Sequence, residues 1–348
     1  MDRQFGALSG VAIVLIVLNH AINFGINTPL QLGYPPLPDA VETALSMIQG
    51  LGVFGVPIFF FISGSFISFS ARGDPPSLSR KFIFSSLRHI IWPYAIWSLI
   101  SYVVVYFHYG DVYSPFQYLK NLLVGFPYHF VPLLIFYYLI SPLLLWLLNR
   151  IGGIIILLIA VYQFFLMSYL NQTLLGITYP DWARFLVPPV ISSTFAAWGV
   201  YFPLGLYYSR KSRTLKPVLM RMKWVFIFLT VLLYAAAYLR RFTQIEVPLA
   251  GEIVPLPFIF LVPLISRNAI PFVRQLEKLG RRTYGIYLMH IIVVDLVLWA
   301  VQVVIPGLFA YSLAIILLLF VTGLAIPYMT MESVAKTRLK RVYRYVFG

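Results

Sequence analysis

The chain has 348 residues, 60% of them hydrophobic and only 11% charged, against about a quarter charged in ordinary soluble domains, which excludes a water-soluble fold. Its net charge of +15 rests on 26 lysines and arginines scattered over short loops with no recognition motif, so nucleic acid is excluded as a partner. The absence of cysteine removes disulfides, thiolate metal sites and acyl-cysteine intermediates, and no metal is expected.

Apolar windows long enough for a hydrocarbon core of about 30 Å, roughly 20 helical residues each, recur from end to end. They predict an all-α polytopic bundle, a single membrane domain over residues 1–348, with about ten spans near 8–26, 48–70, 89–107, 129–148, 151–169, 185–208, 224–242, 251–266, 284–304 and 308–329. The first follows Arg3 and has no small-x-small cleavage site behind it, so it reads as an uncleaved signal anchor. Within it, His20 lies about 18 Å along a helix begun at Leu8, past the midplane. Helical spacing sets Ser9, Ile13, Ile16, His20, Asn23 and Asn27 near one face. Intramembrane ionisable groups are costly and usually face a bundle interior or pathway, so this face is expected to wall a wet cavity; the bland alternative is a neutral His20 bonding a neighbouring helix.

In the second span Pro57 and Gly64 are expected to kink the helix. His89 and His108 stand near the ends of the third, where an interfacial contact is the default. The eighth, "GEIVPLPFIFLVPLIS", carries three prolines and should be irregular. The ninth holds His290 about 9 Å and Asp295 about 16 Å from Tyr284 along the axis. Asp295 is thus near the depth of His20; a carboxylate there pairs or is neutralised, either by the histidine or by a serine or tyrosine. The longest outer loops, 27–47, 108–128 and 170–184, are rich in aromatics that could stack on sugar rings or form the interfacial belt.

Basic residues orient the bundle. With the N-terminus cytoplasmic, 22 of them fall on inner segments and only Lys120, Arg184, Arg240 and Arg241 outside, so both termini are expected in the cytoplasm. Asp39, Glu42, Asp111, Asp181, Glu246 and Glu252 fall outside and Asp2, Asp74, Glu277 and Glu332 inside, which sharpens the asymmetry. The inner charge suits membrane lipid or a phosphate-bearing cytoplasmic ligand.

Four stretches together resemble a known family: "LSGVAIVLIVLNH" (8–20), "GVPIFFFISGSFIS" (55–68), "RHIIWPYAIW" (88–97) with "YHFVPLLIFYYLISPLL" (128–144), and "LGRRTYGIYLMH" (279–290). In this order the set is similar to the acyltransferase family 3 of integral membrane enzymes, which acylate cell-surface carbohydrates. The resemblance implies ten core spans, a cytoplasmic acyl-coenzyme A donor (acetyl-CoA the first expectation), a carbohydrate or glycolipid acceptor, residence in the cell membrane, and a catalytic histidine matching His20. One departure stands out: the basic residue usual eleven positions before that histidine is Ser9 here. Arg88, matching the family's basic cluster before "PY", is then the first candidate for the donor phosphates, with Arg281 and Arg282 second. His129 matches a family histidine and, with Asn27, is a candidate acceptor contact.

Neutral imidazole suits deprotonation of an attacking hydroxyl at ordinary pH, so His20 is expected to be the general base, Asn23 to bind acceptor or intermediate, and Asp295 to orient His20. No Gly-x-Ser-x-Gly elbow is present, which favours direct transfer, with an acyl-histidine as the other route. The competing readings are a transporter of lipid-linked sugar in which His20, Asn23 and Asp295 line a proton path, and a non-catalytic scaffold, to which Ser9 in place of a basic residue points.

Overall fold

The computed structural model describes residues 3–73, 76–110, 112–243 and 245–348. Asp2, Asp74 and Asp111, counted in the charge partition, lie outside them. The chain is 83% helical, with no strand among the described residues, as expected where no water is at hand to satisfy backbone groups. In chain order the α-helices are α1 (Arg3–Gln31), α2 (Asp39–Gly50), α3 (Gly55–Ser70), α4 (Arg80–Tyr109), α5 (Pro115–Val124), α6 (Phe130–Ile151), α7 (Ile154–Leu170), α8 (Gln172–Leu175), α9 (Ser192–Trp198), α10 (Tyr201–Arg210), α11 (Ser212–Tyr238), α12 (Ala250–Ile253), α13 (Pro255–Leu261), α14 (Val273–Gly280), α15 (Thr283–Val304), α16 (Ser312–Lys336) and α17 (Tyr343–Phe347).

Seven helical stretches among the described residues are long and apolar enough to cross a membrane: α1, α2 with α3, α4, α6, α11, α15 and α16. The chain is a multi-pass membrane protein. The remaining expected spans, near 151–169, 185–208 and 251–266, are the shorter helix α7 and two interrupted segments. The interruption at 199–200 is held by polar side chains. Tyr137 on α6 donates its hydroxyl to the Gly199 carbonyl, and Gln163 on α7 accepts from the Val200 amide at 2.7 Å. A broken helix is tolerated at membrane depth when side chains replace the lost backbone bonds.

Packing divides the chain into two compact units, each assembled from separated segments. One comprises Val56–Arg88 and Phe116–Ala269. In it α3 crosses α10 at glycines: a Cβ on Gly64 would meet the Phe202 carbonyl oxygen at 2.0 Å, and one on Gly205 the Phe61 oxygen at 1.9 Å. The helix is unbroken from Gly55 to Ser70, Pro57 sits in its first turn where no amide is needed, and Gly64 serves close approach. Gly152, in the left-handed region at φ 60°, ends α6 and opens the hairpin to α7.

The second unit comprises Asp2–Gly55, His89–Pro115 and Ile270–Gly348. Its core forms where α1, α15 and α16 meet, with Ala21, Val294, Leu298, Ile315 and Leu319 buried together. Gly10 and Gly280 bring α1 and α14 into backbone contact; a Cβ on Gly10 would lie 2.1 Å from the Leu276 oxygen. The indole of Trp97 on α4 donates to the Val346 carbonyl at 2.8 Å, docking the C-terminal helix α17.

Candidate active site

The polar residues of α1 and α15 were read from sequence as one constellation; the structure arranges them as two adjoining pairs in the second unit. α1 and α15 run side by side in the same direction, joined near their starts by Thr283, whose hydroxyl donates to the Ser9 carbonyl at 3.2 Å. Further along, the rings of His20 and His290 stand 5.2 Å apart. His290 is fully buried, and its Nδ1 lies 2.5 Å from the Tyr287 carbonyl. Only a protonated Nδ1 can donate there, which makes Nε2 the acceptor in the neutral ring. That Nε2 is buried and has no hydrogen-bond partner among the described residues. His20 is half-buried, and its other ring neighbour is Phe24, at 6.4 Å.

One turn beyond His20 a cavity of about 330 Å³ opens between α1, α4 and α15. Phe24 lines it together with Asn23, Asn27, Thr28, Gln31, His108, Asp295 and Gln302. The expected polar cavity therefore exists, but its wall starts at Asn23, and His20, beside Phe24, is not part of its lining. Asn27 donates to the side-chain oxygen of Asn23 at 3.0 Å, so the two amides form a fixed pair one turn apart on α1. Opposite them, His108 Nδ1 lies 3.0 Å from both Asp295 oxygens.

This last contact corrects the expected partnership of Asp295 with His20. The carboxylate, its side chain only 12% exposed, is paired with His108 from α4, while the imidazole beside His20 is His290. A carboxylate this buried needs a cationic or donor partner. His108, read from sequence as interfacial, supplies it because α4 extends to Tyr109 and carries the ring over α15. The signal available in the sequence was the lone intramembrane Asp295, which demanded a partner without identifying it.

The candidate donor-phosphate residues separate. Arg282 is committed within the protein: it is ion-paired with Glu332, and its guanidinium lies 4.9 Å over the Tyr328 ring. Tyr343 closes this cluster, and burial pushes its hydroxyl above the ordinary value while Arg282 beside it pulls the other way. An arginine already neutralised by a carboxylate is a poor phosphate site, so Arg282 is withdrawn as a candidate. Arg281 is exposed at the start of α15. Nine residues, or about 13 Å of helix, separate it from His290. Arg88 is exposed on α4, and His129 is exposed at the start of α6, 6.2 Å from the Phe126 ring; both belong to the other unit. Ser9, where a basic residue would be usual, is buried against α15. Among the described residues no group of histidines and carboxylates could hold a metal ion.

The ordering along α1 and α15 is thus an arginine-bearing end, a pair of imidazoles and a polar cavity. Comparison with curated proteins and with solved structures gives no match. The acyltransferase domain family, in contrast, matches residues 5–332, nearly the whole chain and every segment of the site just described. The chain belongs to the acyltransferase family 3.

Proposed function

We infer that the protein transfers an acyl group, acetyl in the first instance, from cytoplasmic acyl-coenzyme A to a hydroxyl of a cell-surface or lipid-linked carbohydrate. The observation that carries this reading is the imidazole pair of His20 and His290 placed one turn from a cavity lined by amides, a hydroxyl and an Asp–His pair. Such a lining suits an acceptor rich in hydroxyls, because each amide offers both donors and an acceptor.

His20 acts as the general base. It takes the proton of the acceptor hydroxyl as that oxygen bonds to the acyl carbon, and it returns the proton to the sulfur as the carbon–sulfur bond breaks. Asn23 and Asn27 hold the acceptor, and Phe24 separates the base from bulk water. Asp295 acts through His108 on the cavity wall and not through His20. Arg281 holds the donor phosphates as a charge-assisted contact. In this reading the arginine-bearing end is cytoplasmic and the cavity faces outward across the cell membrane. Family membership favours this chemistry over the transporter reading.

His20→Ala tests the assignment. Purified protein should keep its elution profile and coenzyme A affinity but lose acyl transfer by at least the 10²- to 10⁴-fold typical of a general base. A variant that still acylates at the normal rate would remove His20 from the chemistry.

A further inference from the structure

The unit built from Val56–Arg88 and Phe116–Ala269 holds a second cavity, of about 340 Å³, that the acyl-transfer chemistry does not use. Its wall is almost wholly hydrocarbon, including Phe61, Ile156, Leu204, Leu219 and Ile259. It is not sealed, because Leu157 on the same wall is 63% exposed. An apolar void of this size does not hold water, and left empty it forfeits packing on every side. At membrane depth the filling at hand is an acyl chain.

Basic residues stand within three positions of the cavity wall in sequence. Tyr207 and Tyr208 of its wall are followed, after Ser209, by Arg210 and Lys211, Leu215 is followed by Lys216, and Gly153 stands three residues after Arg150. These ends converge: a Cβ on Gly153 would lie 3.1 Å from the Tyr207 hydroxyl. None of the four basic residues has a carboxylate partner among the described residues. Uncompensated charge beside a hydrocarbon slot matches a molecule with an anionic head and an aliphatic tail. A coenzyme A thioester fits less well, since its pantetheine amides would enter a wall with almost nothing to bond them.

We propose that this cavity binds an anionic glycerophospholipid, one acyl chain lying in the slot and the headgroup phosphate held by Arg210, Lys211 and Lys216. The site stands apart from the acyl-transfer reading and survives its failure.

The test uses the full chain in vesicles of phosphatidylcholine doped with a phosphatidylglycerol carrying a photoreactive acyl chain. Adducts should map to peptides covering residues 153–160 and 204–219. Unlabelled phosphatidylglycerol should compete, while phosphatidylcholine and acetyl-CoA should not. Lys211→Gln and Lys216→Gln, both exposed, should each weaken the preference for the anionic lipid roughly fivefold. Ala160→Trp and, at the mouth, Leu157→Trp should fill the slot and remove the adduct. Adducts spread evenly over exposed α11, equal competition by phosphatidylcholine, or displacement by acetyl-CoA would each overturn the proposal. So would adducts that persist in a Trp variant that elutes like the parent.

Discussion

Asp295 and His108 form a coupled pair, since each is largely buried and each is the other's hydrogen-bond partner at 3.0 Å. Truncating either leaves the other in a polar but confined cavity, so the two losses should not add. We expect His108→Ala and Asp295→Asn to lower acyl transfer by similar factors, both smaller than that of His20→Ala. The double variant should be little worse than either single one, with a coupling of about 0.5–3 kcal/mol, read from kcat/KM for the acceptor. Additive losses would mean that the pair does not act as a unit. A different sign belongs to Arg282. Its guanidinium pairs with Glu332, which Lys336 also approaches at 3.9 Å, so its loss should show in stability before it shows in donor affinity.

At the level of helices, small residues decide how the second unit closes. Between α1 and α14 no long side chain can intervene, because a Cβ on Gly280 would lie 1.8 Å from the Gly6 oxygen. The obstructing atom is backbone and cannot rotate away, so Gly280→Ala must push the helices apart. It should cost about 1–3 kcal/mol, the range for overpacking. Gly6 supplies the internal control: a Cβ there meets nothing within 4 Å, so Gly6→Ala should be neutral or stabilising by up to about 1 kcal/mol through helix propensity. Thermal unfolding in detergent distinguishes the two, and equal Tm values would show that the contact does not hold the helices. The same crossing settles α1 beside α15 through Ser9 and Thr283, which sets the height at which His20 meets His290.

For the whole molecule the testable property is orientation. The chain has no cysteine, so single cysteines report accessibility without background. If the basic segments are cytoplasmic, Lys216→Cys should react with an impermeant maleimide only after cells are opened, whereas Glu246→Cys should react in intact cells. The reverse pattern would invert the bundle and place the polar cavity on the cytoplasmic side.

Composition and hydropathy determined much of this protein unaided. They gave the membrane environment, the all-helical class, ten expected spans of which seven are long apolar helices, and the irregularity of the proline-bearing eighth segment, because a lipid solvent forces backbone groups to pair within helices whatever the neighbours are. The polar face of α1 was also legible, since helical periodicity places His20, Asn23 and Asn27 together from their spacing alone. Partnership was not. The pairing of Asp295 with His108 joins residues 187 apart in sequence, and the meeting of His20 with His290 depends on how far α1 slides along α15. The role of Gly64 as a crossing point needed the Phe202 carbonyl above it, and the break at residues 199–200 needed Tyr137 and Gln163 from other helices. Periodicity fixes which face of a helix a residue occupies; only tertiary packing fixes which side chain stands opposite, because in lipid that choice rests on close steric fit and a few hydrogen bonds instead of a general hydrophobic drive.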